Sequence, residues 1–111
     1  MSRKNALRAA PPYEVEQALA RLGANLRQAR LRRNLTIAEA ADKIGTGPRA
    51  VQDAEKGMPG TSAAVYAALL WAYDMLAPFG DLADPATDAG GAVHEPTRQR
   101  ARASRELSDD F

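Results

Sequence analysis

The feature that most constrains this chain is the stretch Leu35–Gly57, which has the pattern of two short helices around a glycine corner. Thr36 is an N-cap candidate, and Glu39 three residues later has the spacing of a capping box. Apolar residues then recur at helical intervals, at Ile37, Ala40, Ala41 and Ile44. Gly45 follows and provides the left-handed residue that ends a helix at little cost. The first helix is therefore predicted to end near Ile44 and to bury one face.

The second helix of this stretch begins just after the corner. Thr46 is its candidate N-cap, and Pro48 falls in the first turn, where a missing N–H does no harm. Val51 and Ala54 are the inward positions, and Gly57 closes the helix. Two short helices joined by a tight turn that contains glycine form a helix-turn-helix unit.

A long amphipathic helix is predicted before this unit, from Tyr13 to Arg33. Its apolar face is formed by Val15, Leu19, Leu22, Leu26 and Ala29. Gly23 costs this helix about 1 kcal/mol relative to alanine. The segment Tyr13–Arg21 is therefore either part of the long helix or a separate short one. Asn34 is a suitable left-handed cap after it.

The helix predicted after Gly57 is unusually apolar. It spans Ser62 to about Met75, with Thr61 as its N-cap. Its apolar residues cover more than the single stripe that a surface helix needs, which indicates a second buried contact. We expect either a fifth helix over Pro78–Ala83 or a homodimer interface to cover it. The dimer interface would be formed by Tyr66, Leu70, Trp71 and Tyr73.

The predicted architecture is an all-α bundle of four to five helices over residues 13–83, with flexible extensions at both ends. Residues 1–12 are basic and end in Pro-Pro, as expected of a flexible leader or of an arm that reaches DNA. Residues 84–111 are turn-rich and carry charges in blocks. They have too few apolar residues to fold alone, so we expect a largely disordered tail with a possible partner-binding segment.

The composition argues against several classes of function. The 111 residues have a net charge of only +1, but residues 1–45 carry nine Lys and Arg against four Asp and Glu, so the positive field lies in the N-terminal third. There is no cysteine, and the single histidine, His94, lies in the predicted tail without companion ligands. We therefore expect no enzyme, no metal and no cofactor. Without a long apolar run or signal region, we expect a cytoplasmic protein.

The central stretch resembles the lambda-repressor-like (Xre-type) DNA-binding family over roughly Leu22 to Leu76. The matching features are, in order, Arg30, Leu35-Thr36, Ala41, Gly45, Val51 and Glu55-Lys56-Gly57. The resemblance implies a lambda-repressor-like bundle whose third helix enters the major groove of double-stranded DNA. It also implies an ion pair between Arg30 and Glu55 that clamps the first helix to the third.

The DNA-binding residues are carried over from the same resemblance. They are Thr36, Thr46, Gly47, Pro48, Arg49, Gln52, Asp53 and Lys56. Arg49 is the best candidate for bidentate recognition of guanine, whereas Lys56 and the amides at helix N-termini suit phosphate. Ile37, Pro48 and Asp53 stand where the family usually has polar or basic residues. These departures keep open a second class of function, a protein-interaction module that has lost DNA binding.

The C-terminal segment is similar to that of HipB-like antitoxins, which are Xre-type regulators found beside HipA-like kinase toxins. The shared elements are Asp84-Pro85-Ala86-Thr87-Asp88, a run of four arginines, and the ending Asp109-Asp110-Phe111. This similarity implies a dimeric repressor that autoregulates a toxin–antitoxin operon and binds a HipA-like toxin through Leu107 and Phe111. The alternative within DNA binding is a stand-alone or phage-type repressor with a solvated tail.

Overall fold

The computed structural model describes residues 5–94, and within this range the chain forms helices and no strand. The helices are α1 (Ala6–Ala9), α2 (Tyr13–Arg32), α3 (Ile37–Ile44), α4 (Pro48–Glu55), α5 (Ala63–Ala72), α6 (Ala77–Gly80), the 3-10 turn η1 (Pro85–Thr87) and α7 (Ala89–Ala92). The predicted all-α fold with a helix-turn-helix, formed by α3 and α4, is confirmed. Internal contacts divide the chain into two units, whose described parts are residues 5–79 and 80–94. None of the described helices is both long and apolar enough to cross a membrane.

Helix α2 is continuous through Gly23, so the alternative of a separate short helix before it is wrong. Acidic residues lie in its first turn and arginines in its last, as the helix dipole favours. Asn34 takes the predicted left-handed conformation, with φ of 56°. The beginning of α2 lies outside the core, since Tyr13 is 69% exposed to solvent.

Gly23 marks the place where α2 packs against the end of α4. A Cβ atom at Gly23 would lie 2.6 Å from the carbonyl oxygens of Ala54 and Glu55. Gly57, with φ of 68°, makes a similar contact, because a Cβ there would lie 2.5 Å from the carbonyl oxygen of Leu19. Neither position has room for a side chain. The two glycines therefore form a seam, which we call the glycine seam, where α2 and the end of α4 meet backbone to backbone.

Helix α3 begins and ends as predicted. The Oγ1 atom of Thr36 accepts a hydrogen bond from the Glu39 amide at 3.0 Å, and the Glu39 carboxylate accepts one from the Thr36 amide at 2.8 Å. This is the reciprocal capping box. Gly45 follows the helix with φ of 76°. The amide of Thr46 then donates to the carbonyl of Ala41 at 3.0 Å, which satisfies a carbonyl at the helix end.

Two predicted N-caps are wrong by one residue. The N-cap of α4 is Gly47 rather than Thr46, and no side chain caps this helix. The N-cap of α5 is Ser62 rather than Thr61. The reason is the same at both sites, because each threonine still belongs to the preceding turn. The amide of Thr46 closes the end of α3, and the amide of Thr61 donates to the carbonyl of Met58 at 3.0 Å.

The core of the first unit is built from α2, α3, α4, α5 and the residue that follows α5. Its buried apolar residues are Leu26, Ala29, Ala40, Ala41, Val51, Ala54, Tyr66, Leu69 and Tyr73. Tyr66 and Tyr73 are only 5% and 1% exposed within a single chain, so their assignment to a dimer interface is wrong. The alanines of α3 and α4 leave space in this core, and the two tyrosine rings help to fill it.

The predicted fifth helix over Pro78–Ala83 is reduced to the single turn of α6, which buries no residue. Helix α5 also ends earlier than predicted, at Ala72, and Asp74 has a left-handed φ of 60°. The end of α5 therefore remains open, with Trp71 60% exposed and Met75 45% exposed.

Short helical turns occur where the sequence predicted flexible extensions. The Asn5 side chain caps α1, and the Arg8 guanidinium lies against the backbone of Gly60. In the second unit, Asp84 caps η1 and Asp88 caps α7. None of these turns contains a buried residue. Local bonds from Asn and Asp side chains to the backbone therefore form single turns here without the help of a core.

Candidate nucleic-acid interface

Helix α4 has one buried face and one exposed face. Val51 and Ala54 are both fully buried in the core. With about 3.6 residues per turn, the opposite face carries Arg49, Gln52 and Lys56, and all three are exposed. The Arg49 side chain is 84% exposed to solvent. The surface of α4 thus presents two cations and an amide on a helix whose other side is held by the core.

The ion pair between Arg30 and Glu55 joins α2 to the end of α4, as the resemblance implies. Nε of Arg30 donates to Oε2 of Glu55 at 2.6 Å, and Nη2 donates to Oε1 at 3.0 Å. Nη1 donates to the carbonyl of Leu35 at 2.9 Å, so the same guanidinium also holds the segment before α3. Hydrogen bonding to Glu55 raises the pKa of Arg30. The planar fork of arginine suits this bidentate contact, which fixes α4 relative to α2.

Arg49 is not free on its helix. Its Nε lies 3.3 Å from Oδ1 of Asp53, one turn later in α4. The Asp53 side chain is 33% exposed, so the partner of the exposed arginine is itself partly enclosed by the fold. The sequence shows the two residues at helix spacing, but their pairing was not among the predictions.

Seven of the eight predicted DNA-binding residues lie on α4 or next to it, and Thr36 lies at the start of α3. The exposed members are Thr36, Gly47, Pro48, Arg49, Gln52 and Lys56. Thr46 and Asp53 are half-buried. The structure therefore brings most of the predicted residues to one surface of the first unit. Their contact with DNA stays a prediction.

The helix N-termini offer less to a phosphate than the sequence suggested. At α3, the amide of Thr36 already donates to Glu39, whose carboxylate adds a negative charge there. At α4, Pro48 has no N–H, and the amide of Ala50 donates to the carbonyl of Gly47 at 3.2 Å. Lys56 has an exposed side chain and stays the predicted phosphate contact.

Arg33 joins the end of α2 to the end of α5, a role that the sequence did not reveal. Its Nη2 donates to the carbonyl of Tyr73 at 2.9 Å, and its Nη1 donates to the carbonyl of Ala29 at 2.9 Å. Its guanidinium carbon also lies 5.4 Å from the centre of the Tyr73 ring, within cation–π range. These contacts tie the end of α2 to the end of α5. Arg33 and Tyr73 are 40 residues apart, so no local spacing could signal them.

The tyrosine held by Arg33 carries a buried hydroxyl. That hydroxyl has no hydrogen-bond partner among the described residues. Burial raises the pKa of Tyr73, and the negative charge of Glu55 acts in the same direction. The hydroxyl therefore contributes a desolvation penalty that no bond offsets.

The remaining site predictions concern partners. Leu70 is half-buried and Trp71 is exposed, so these two members of the predicted dimer interface can still meet another chain. Leu107 and Phe111, the predicted partner-binding residues, lie outside the described residues.

Comparison with known proteins identifies the central part of the chain. A family model described as a helix-turn-helix domain matches residues 21–78, which is more than half of the chain. No curated protein and no solved structure matches it. The matched range contains α3, α4 and α5 together with both partners of the Arg30–Glu55 pair. The chain therefore belongs to the helix-turn-helix domain family of DNA-binding proteins.

Proposed function

We propose that this chain is a sequence-specific transcriptional repressor that places α4 in the major groove of operator DNA. The observation that carries the proposal is the exposed face of α4, with Arg49, Gln52 and Lys56 opposite a fully buried face. A helix presented in this way reads base edges with its N-terminal residues. Arg49 lies in the first turn of α4 and suits guanine, while Lys56 suits phosphate.

The same surface implies modest affinity for each chain. Of the three charged side chains on the exposed side of α4, Arg49 and Lys56 attract phosphate and Asp53 repels it. Because phosphate contacts dominate affinity for DNA, one chain with so few of them binds weakly. A homodimer doubles the number of phosphate contacts. It also binds more tightly because, once one α4 is bound, the second is held close to the DNA at a high effective concentration. The repressor that we propose is therefore a homodimer.

The open end of α5 is the dimer surface that we propose. Trp71 is 60% exposed, and Met75, four residues later, is 45% exposed. Half-buried Leu70 belongs to the same helix. Large exposed apolar residues near one another in sequence are candidates for an interaction surface.

The dimer proposal is tested by sedimentation equilibrium. We expect wild type to associate and Trp71→Ser to shift the equilibrium toward monomer. Met58→Ser is the matched control, because Met58 is also an exposed apolar residue but lies in the loop after α4. Equal association of the wild type and the Trp71 variant would exclude this surface.

DNA binding is tested with duplexes that the wild-type chain selects from a randomised library. Their affinity is then measured at several salt concentrations for wild type and for Arg49→Glu/Lys56→Glu. We expect the double variant to lose selective binding. The control is Arg21→Glu, which reverses an exposed charge on α2 outside the helix-turn-helix. If the double variant retains DNA as well as this control does, the protein-interaction module becomes the better description.

Repression is tested separately from binding. A selected duplex is placed over the start of a reporter gene, and transcription is measured with and without the chain. A bound repressor blocks the promoter, so we expect lower output with wild type and no change with the Arg49/Lys56 double variant. An increase in output would identify an activator and contradict the repressor proposal.

The finer role that we propose is that of an antitoxin that autoregulates its operon and binds a HipA-like kinase toxin. It rests on the similarity of the segment Asp84–Asp88 and the chain ending to HipB-like antitoxins. An aromatic residue next to acidic residues, as Phe111 is next to Asp109-Asp110, can enter a pocket of a partner. Co-expression with a HipA-like kinase tests it: removal of residues 105–111 is expected to abolish co-purification and to leave DNA binding intact. Undiminished co-purification would favour the stand-alone repressor.

A further inference from the structure

We propose that Asp53 determines specificity by positioning Arg49 for guanine and by opposing contacts between Arg49 and the phosphate backbone. This inference rests on the proposed binding of α4 in the major groove. It assigns to Asp53 the role of a positioning residue that acts through Arg49, instead of the role of a base-reading residue.

The first step of the argument is the geometry of the pair. Oδ1 of Asp53 lies 3.3 Å from Nε of Arg49, and the two residues are one helical turn apart. Residues at this spacing lie on the same side of a helix, so the carboxylate can hold the arginine without moving the backbone. The arginine side chain is otherwise open to solvent, at 84% exposure.

The second step is that the Asp53 side chain is more enclosed than that of Arg49. It is 33% exposed, against 84% for Arg49. Burial raises the pKa of Tyr66, a core residue of α5, and the negative charge of Asp53 acts in the same direction. The backbone carbonyl of Asp53 accepts hydrogen bonds from the amides of Lys56 and Met58 at 3.2 and 3.0 Å. A short carboxylate on a backbone held in this way can orient the longer, more exposed side chain of Arg49.

The third step is the hydrogen-bonding inventory of the guanidinium. Arginine has five N–H donors in a planar fork. When Asp53 occupies Nε, the edge formed by Nη1 and Nη2 remains available. Two parallel donors on one edge match the O6 and N7 acceptors of guanine in the major groove. Holding the fork before binding also lowers the entropy lost when the contact forms.

The fourth step concerns the charge of Asp53. A carboxylate on the exposed side of α4 repels phosphate, so it weakens binding to any DNA sequence. It also stabilises the position of Arg49 away from the backbone. Specificity is a difference between affinities, and holding Arg49 away from phosphate weakens the complexes that depend on that phosphate contact more than the complex in which Arg49 binds guanine.

The experiment uses the full chain and two duplexes, one selected by wild type and one in which a single guanine is replaced by adenine. The guanine is the one at which Arg49→Ala loses its preference. Dissociation constants are measured for wild type, Asp53→Asn, Arg49→Ala and the double variant. Asp53→Glu serves as the conservative variant, since glutamate can also pair with an arginine one turn away. Asp42→Asn controls for the change in net charge, because Asp42 is an exposed acid on α3.

We expect wild type to prefer the guanine duplex by about 5- to 160-fold, the range of one bidentate contact. Asp53→Asn is expected to lower this ratio about two- to tenfold and to tighten binding to an unrelated duplex. Asp53→Glu is expected to keep most of the ratio. In the Arg49→Ala background, Asp53→Asn is expected to leave the ratio unchanged. Thermal unfolding midpoints of all variants verify that they are folded.

Two results would overturn the inference. If Asp53→Asn retains the full preference for guanine, Asp53 does not position Arg49. If Asp53→Asn and Asp53→Glu lose it equally, the charge is not the cause. In both cases an Arg49-dependent preference of wild type still upholds the proposed function. If wild type selects no sequence at all, the proposed function fails, and this inference fails with it.

Discussion

Replacing Gly23 with alanine tests the packing of α2 against α4, because two physical effects predict opposite outcomes. Alanine is the better helix former and raises stability by about 1 kcal/mol in a helix interior when it meets no obstacle. At Gly23, however, the new Cβ would lie 2.6 Å from the carbonyl oxygens of Ala54 and Glu55. These are backbone atoms of α4, which cannot rotate away as a side chain would.

The magnitude follows from these two contributions. Overpacking of this kind costs about 1–3 kcal/mol, and the gain in helix propensity offsets about 1 kcal/mol of it. Because the new Cβ would meet two backbone carbonyl oxygens at 2.6 Å, we expect the upper part of that range, about 2–3 kcal/mol, and hence a net loss of about 1–2 kcal/mol of unfolding free energy. For a domain of this size, that corresponds to a melting point lower by roughly 5–15 °C.

Urea and thermal denaturation followed by circular dichroism measure this change. Ala24→Gly is the matched control, since Ala24 is the exposed neighbour of Gly23 in α2 and reports the glycine–alanine difference of this helix without the contact. We expect Gly23→Ala and Ala24→Gly both to destabilise, although propensity alone predicts opposite signs. A Gly23→Ala variant that melts at a higher temperature than wild type would refute the reasoning about the glycine seam.

The other predictions concern the clamp, the buried hydroxyl and the left-handed glycines. Arg30→Ala leaves Glu55 buried without its partner, so we expect a loss of about 3 kcal/mol in urea unfolding. A loss in Arg30→Ala/Glu55→Ala that is smaller than the sum of the two single losses would show that the residues are coupled, and additive losses would contradict the clamp. Tyr73→Phe removes an unpartnered buried hydroxyl and is expected to raise the free energy of unfolding at pH 7 by about 1 kcal/mol. Burial raises the folded-state pKa of Tyr73 above the ordinary value of 10.0, so at alkaline pH the unfolded chain releases the phenolic proton first. The free energy of unfolding therefore falls as the pH rises from about 10 to the folded-state value. Tyr73→Phe removes this fall, so its alkaline unfolding should be less steep, and an identical profile would contradict this. Gly45→Ala should cost about 1 kcal/mol, because its Cβ meets nothing within 4 Å, whereas Gly57→Ala should cost clearly more; equal losses by thermal denaturation would contradict the contact at Gly57.

Local features were predicted well from the sequence. The capping box of Thr36 and Glu39 and the left-handed Gly45 involve residues only a few positions apart, so their spacing alone specifies the geometry. The ion pair between Arg30 and Glu55 is not local, and it was predicted only through the resemblance to a known family.

Features that depend on the approach of distant segments were missed. Gly23 was interpreted as a weak point in a helix because nothing in its neighbourhood indicates that α4 touches it. Tyr66 and Tyr73 were assigned to a second chain because periodicity shows that a face is apolar but does not show what covers it. The caps at Thr46 and Thr61 were misplaced because the preceding turns use their amides. The errors at Gly23 and at the two tyrosines arise where tertiary contacts compete with a local preference, whereas the misplaced caps arise where two local hydrogen-bonding patterns compete.

The glycine seam has a consequence for redesigning what this protein recognises. Main-chain atoms set the distance between α2 and the end of α4 there. The position of α4 relative to α2 therefore does not depend on the side chains on the exposed face of α4. New amino acids at positions 49, 52 and 53 can thus be exchanged as a cassette while the angle of the helix is preserved. The scaffold would accept such a library at its surface, provided that Gly23 and Gly57 are left untouched.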